Sequence, residues 1–217
     1  MSRLIPARHD PPILAHVANT AADLELIEEL TAFTDVGAQL TQGRIISAGS
    51  ALTERELLLS GAYREVVNNT FIYASDGRFN TPARGAWYAA DTLETAALEV
   101  RFHLLSFHLR EQTESTTFLY TCYRANIDHT LYDTRHDPDY LAALHHDTEN
   151  YRYGQSLADT LRSGHPNVPG VFYNSVRAAD HSCVALFYPE QVHGVKVAEQ
   201  VAFDWDLQTK TITPRVA

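Results

Sequence analysis

Three residues in the middle of the chain combine reactive side chains with a regular spacing: Arg78, Tyr88 ten positions on, and Glu99 eleven beyond that. A guanidinium offers several fixed donors and suits an anion. A phenol can stack or hydrogen-bond. A preorganised carboxylate steadies positive charge that develops during a reaction. The same trio, taken alone, also describes a buried ion pair beside a core aromatic.

The residues lie in one stretch, GRFNTPARGAWYAADTLETAALEV, from Gly77 to Val100. A loop bearing proline and glycine, Thr81–Gly85, separates the arginine from the tyrosine. The apolar run Ala86–Ala90 predicts a buried strand. Asp91 at an N-cap, with Glu94 three residues on, predicts a helix start. Ala96, Ala97, Val100 and Leu104 supply that helix with an apolar face, and it ends near Arg110. A turn, a strand and a helix therefore bring one cation, one aromatic and one carboxylate together. Arg101 falls roughly 200° around the helix from Glu99, which puts it outside a shared pocket. Glu94 is a rival carboxylate, but capping explains it.

On the N-terminal side, residues 1–16 read as an irregular arm with Pro6, Pro11 and Pro12. Thr20–Asp23 opens an amphipathic helix over about 21–32, carrying Leu24, Ile27, Leu30 and Phe33. Thr34–Ser50 reads as a loop with a short strand at Arg44–Ser47. Thr53 and Glu56 open a second helix, about 54–68, burying Leu57, Leu58, Ala62, Val66 and Val67. Phe71–Ala74 reads as a strand entering the Asp76-Gly77 turn. On the C-terminal side, Thr116–Ile127 reads as a strand by its aromatic and β-branched content. Helices follow at Asp137–His146 and Thr148–Ser163, then strands at Gly170–Ser175 and Ser182–Tyr188. Gly194–Trp205 and Thr209–Thr213 form a terminal hairpin around Asp206–Gln208. Strands and helices interleave without a βαβ rhythm, so the expected class is α+β, a mixed sheet flanked by helices. The expected division is a helical N-terminal extension, 1–68, and a catalytic domain, 69–217. An amphipathic helix must bury its apolar face somewhere, so the extension is expected to read a partner or target.

Composition narrows the functions. A formal net charge of -10 over 217 residues argues against a general nucleic-acid binder. It leaves room for a local basic pocket built from Arg78, Arg84 and Arg101. Cys122 and Cys183 sit in apolar runs and read as buried free thiols of a reducing compartment. The opening residues MSRLIPARHD lack the apolar region of a signal peptide, and no window approaches a membrane span. A cytoplasmic location is expected.

Other chemistries fit less well. His103/His108 and His145/His146 are the nearest approaches to a metal cluster, and neither has the spacing that puts two imidazoles on one helical face. No metal is expected. Ser175, Asp180 and His181 are close in sequence, but no nucleophile elbow surrounds the serine. Neither a dinucleotide-binding glycine fingerprint nor a P-loop is present.

The GRFN run, the WY strand after its arginine and the TAALEV helix resemble the RES domain, a family named for an arginine, a glutamate and a serine. Its serine element corresponds to Ser175 in GVFYNSVR, and the domain would cover about Thr70 to Asp204. Members usually carry a tryptophan where this chain has Phe79. The resemblance implies an ADP-ribosyltransferase-like fold and a toxin of a bacterial toxin–antitoxin pair that consumes NAD. Family members pass the ADP-ribose to water, inorganic phosphate or a protein. The resemblance also implies a small helix-turn-helix antitoxin that covers the pocket, and allows a homodimer within that complex. In such a site Glu99 would stabilise the ribosyl cation and Arg78 would clamp the pyrophosphate. Tyr88 would stack on nicotinamide or bond the ribose, and Ser175 would hold the ribose or carboxamide. The long N-terminal segment tilts the expected acceptor toward protein, ahead of NAD hydrolysis or phosphorolysis. A non-enzymatic module holding a nucleotide or peptide in the same pocket is the reading from another class.

Overall fold

A computed structural model describes residues 1–7, 63–143, 151–165 and 167–217. The expected helix at 21–32, the loop at 34–50 with its short strand, and most of the helix at 54–68 lie outside the described residues. In chain order the elements are β1 (Ser2–Pro6), α1 (Arg64–Ile72), β2 (Trp87–Ala90), α2 (Leu93–Glu111), β3 (Thr116–Asn126) and β4 (Tyr132–Asp133). They continue with α3 (Pro138–Ala143), α4 (Arg152–Gly164), β5 (Gly170–Asn174), β6 (Ser182–Leu186), β7 (His193–Asp206) and β8 (Thr211–Val216). The strands form one eight-stranded sheet in the order β4-β5-β6-β2-β1-β3-β7-β8. Among the described residues only the β4–β5 pair is parallel. A mixed sheet flanked by helices is what the sequence led us to expect.

Alternation along the strands sorts the core onto two faces. Ala90, Cys122, Cys183 and Ala185 join one cluster, which includes Ala96 and Ala97 of α2, Tyr140 of α3, and Ala158 and Leu161 of α4. Trp87, Ala89, Tyr123, Val184 and Leu186 point the other way, against Val66, Val67 and Phe71 of α1. Among the described residues, no helix is long and apolar enough to cross a membrane.

Two local expectations need correction. The irregular arm is instead, over Ser2–Pro6, a strand at the centre of the sheet. It runs antiparallel to β3 from Ser2↔Arg124 to Pro6↔Tyr120, and meets β2 at Ser2↔Ala90. Proline is tolerated here because β1 meets β2 only at Ser2, so at Pro6 the strand has β3 as its single neighbour and is edge-like. Among the described residues β2 and β3 make no direct pair, so β1 joins the two halves of the sheet. The described start of the chain thus belongs to the sheet rather than to an appendage. The second correction is at Phe71 and Ile72, which end helix α1 instead of starting a strand. Helix geometry lets Val66, Val67 and Phe71 share one buried side. The backbone at Phe71 is also pressed by Gly85, where a Cβ would come within 2.6 Å of the Phe71 Cα.

The central position of β1 makes a stability prediction. Leu4 is buried in the core cluster, so Leu4→Ala should cost about 2–5 kcal/mol. A residue on a loose arm would cost at most about 0.5 kcal/mol. Chemical denaturation of the variant decides between them, and an unchanged midpoint would remove β1 from the core.

Candidate active site

Strand β2 leads straight into α2, which carries the carboxylate. The N-cap is Thr92, one residue later than expected, and its Oγ1 accepts the N–H of Thr95 at 3.1 Å. Asp91 does a different job: it accepts the Ser182 N–H at 3.0 Å and pairs with His181 Nδ1. The start of α2 is therefore tied to the strand that follows the Ser175 loop. This engagement separates His181 from any role as partner of the Ser175 hydroxyl.

Ser175 instead joins Glu99. Its Oγ accepts the N–H groups of Arg177 and Ala178, each at 3.1 Å, and donates to Glu99 Oε1 at 2.8 Å. A hydroxyl has a single proton, and two backbone donors leave it aimed at the carboxylate. The backbone of Ser175 is held in turn, its N–H donating to the His181 carbonyl at 2.8 Å. Sequence reasoning placed this hydroxyl against a ribose or carboxamide, whereas the structure spends its proton on Glu99.

Arg78 sits on a short loop with many anchors. Gly77 and Asn80 bridge each other, and Thr81 and Arg84 close the next turn. Phe79 is fully buried, stacked on Tyr140 at 5.6 Å and edge-on to Tyr173 at 4.9 Å. Gln155 of α4 donates to the carbonyls of Gly77 and Asn80 at 3.1 and 2.9 Å. One turn of the same helix lies flush on the loop at Gly154, where a Cβ would come within 2.2 Å of the Arg78 carbonyl oxygen. The backbone under Arg78 is thus fixed, and its guanidinium lies 5.9 Å above the Tyr151 ring.

Tyr88 serves this loop. Its hydroxyl accepts the Phe79 N–H and donates to Asn80 Oδ1, both at 2.8 Å. Burial pushes its phenol well above the ordinary range, and the bond from Phe79 only partly opposes this. Arg3 of β1 donates to the Tyr88 carbonyl at 2.9 Å, which ties the central strand to β2 at this residue. Tyr88→Phe would leave a backbone N–H and an amide oxygen without their partner, at a cost of about 1–3 kcal/mol. Thermal unfolding should show that loss together with a weaker hold on any ligand of Arg78. A variant with wild-type stability and affinity would leave Tyr88 without this role.

The structure therefore bonds Glu99 to Ser175 directly, brings Arg78 into their electrostatic neighbourhood, and sets Tyr88 beneath the loop. Arg101 turns away and donates to the Ile212 carbonyl at 2.9 Å. Arg84 lies near Arg162. The cation that joins Arg78 near Glu99 is Arg177, which sequence reasoning missed. Burial lowers its pKa, Glu99 raises it and Arg78 lowers it further. Tyr151 feels the same three charges, and His103, one turn after Glu99, feels them too. The only available signal was that Arg177 stands two positions beyond Ser175. Tyr151 gave none. Among the described residues, no group of three or more His, Cys, Asp or Glu could hold a metal. The arrangement supplies an oriented carboxylate that feels the charges of Arg78 and Arg177, which suits a ligand that carries anionic groups and develops positive charge near them.

Residues 59–206 match the model of the RES domain. No curated protein matches the chain. Among solved structures, the crystal structure of the MbcT–MbcA toxin–antitoxin complex of M. tuberculosis is similar at 14% sequence identity and a TM-score of 0.41. That similarity covers 62% of this chain and 74% of the other.

Proposed function

The chain belongs to the RES-domain family, and from that membership we propose that it is the toxin of a bacterial toxin–antitoxin pair that cleaves NAD. We assign it mono-ADP-ribosyl transfer to a cellular protein. The bond from Ser175 to Glu99 supports NAD cleavage, because it orients a carboxylate in the electrostatic neighbourhood of two arginines, and the long N-terminal segment supports a protein acceptor.

Breaking the glycosidic bond sends its electron pair to nicotinamide, which leaves as a neutral ring. Positive charge builds on the ribose, as in glycoside hydrolysis. Glu99, held by Ser175, stabilises that charge without reorganising. The acceptor attacks the ribose carbon and gives up its proton to Glu99 or to solvent. Arg78 binds the pyrophosphate, Ser175 keeps the carboxylate aimed, and Tyr88 keeps the Arg78 loop in place. NAD is the consumed substrate rather than a resident cofactor. The partner expected to silence the site is a helix-turn-helix antitoxin in the cytoplasm, with a homodimer in the complex, and no nucleic acid or membrane is needed at the site.

The test is mass spectrometry of cell extract incubated with the chain and isotopically labelled NAD. Label on a protein side chain supports transfer. Label only in free ADP-ribose reassigns the chain as an NAD hydrolase, and label in a phosphorylated ribose product reassigns it as a phosphorylase. Intact NAD would leave only a binding module.

A further inference from the structure

Three residues at the start of α4 address Arg78 from one helical turn. Tyr151 at the N-cap, Gly154 and Gln155 fall at i, i+3 and i+4, a spacing that puts them on one side of the helix. The Gln155 N–H closes this turn on the Tyr151 carbonyl at 2.9 Å. The Tyr151 ring underlies the Arg78 guanidinium. Gly154 has no side chain, so the Arg78 carbonyl oxygen can lie against the helix where a Cβ would stand. Gln155 holds the backbone on both sides of Arg78. Gly77 and Asn80 pair across a tight turn with Arg78 and Phe79 at its tip, each N–H donating to the other's carbonyl, at 3.0 Å from Gly77 and 3.4 Å from Asn80. The two carbonyls that close the turn are the ones the Gln155 amide reaches, at 3.1 and 2.9 Å. A side-chain amide carries two N–H protons, one for each. Two turns further along the same side, Arg162 donates to the Gly85 carbonyl at 3.2 Å, so α4 also holds the far end of the loop.

We propose that Gln155 is a positioning residue for Arg78: by holding both carbonyls of the turn it sets where the guanidinium is presented, and so sets how tightly the site holds an anion. The proposal rests on the reading above, in which Arg78 binds the pyrophosphate of NAD. An arginine side chain is long and rotatable, and it loses less freedom on binding when its root is already fixed. Tyr88 of β2 grips the same turn at the Phe79 N–H and at Asn80 Oδ1, so two elements hold it. The Gln155 amide spends its protons on the turn, and its effect on a ligand passes through Arg78.

The experiment compares wild type, Gln155→Met, Arg78→Ala and the double variant. Methionine keeps the length and neutrality of the side chain and removes both donors. Gln155→Met should raise KM for NAD roughly 10-fold, with kcat changed far less. Added to Arg78→Ala it should cost nothing more, because residues that act as one unit are not additive. Hydrogen exchange should quicken at the Gly77 and Asn80 amides and stay as in wild type along β5 and β6. An unchanged KM in Gln155→Met would overturn the proposal and leave NAD cleavage standing, and so would a further loss on top of Arg78→Ala. Exchange that is unaffected at the turn, or faster throughout the chain, would overturn it as well. If wild type leaves NAD intact, the functional reading fails. Gln155 is then judged by exchange alone, faster at the turn in Gln155→Met if it holds Arg78 in place, and equal to wild type if it does not.

Discussion

Glu99→Gln should cut NAD cleavage by about 10²–10³ while leaving the fold intact. Glutamine keeps the shape of the side chain, and its amide oxygen can still accept the Ser175 hydroxyl proton. Only the negative charge facing the developing ribosyl cation is lost. The loss should therefore fall on kcat rather than KM, since ground-state NAD carries no oxocarbenium charge for the carboxylate to favour. Circular dichroism and thermal unfolding matching wild type would confirm that chemistry, and not folding, has changed. Wild-type turnover in the folded variant would remove Glu99 from the mechanism.

Arg78→Ala should act on the other side of that division, raising KM for NAD by roughly 10- to 100-fold. The loop beneath Arg78 is held by Tyr88, Gln155, Phe79 and the close approach of Gly154, none of which needs the guanidinium. Truncation should therefore leave the loop in place and remove only its anion-binding head. Arg78→Lys should recover only part of the affinity, because an ammonium is a point charge without the planar fork. Full recovery by lysine would show that fork geometry is irrelevant here, and an unaffected KM in the alanine variant would take Arg78 out of substrate binding.

The strand–helix unit from Trp87 to Glu111 was legible because its signals are local. An apolar run, an oxygen-bearing cap and a helical apolar stripe lie next to one another in sequence. Asp91 and Thr92 are both competent caps, so the one-residue error between them could be settled only by Ser182 and His181, about ninety residues away, claiming Asp91. Strand β1 was illegible for a related reason. Five residues ending in proline have no convincing period, and they become a strand only because β3 supplies a partner for each of them. Phe71 and Ile72 look like strand residues by type, yet packing against the sheet places them in a helix, so tertiary context overrode propensity. Glu99 was picked out by its type and spacing and Ser175 by the family resemblance, but their mutual bond followed from neither. Nor could sequence show that the Tyr88 hydroxyl serves Phe79 and Asn80, since that depends on how the loop folds back. Arg177 was invisible because its partners, Phe102 and Glu99, sit on a distant helix.

As proposed, this chain cleaves NAD through the carboxylate that Ser175 aims. The most direct measurement is nicotinamide release over time from NAD incubated with purified wild type and with Glu99→Gln, side by side. Nicotinamide should appear in step with NAD loss for wild type, and its release should be suppressed by about 10²–10³ in the variant. NAD that stays intact with wild type, or nicotinamide released equally fast by both proteins, would contradict it.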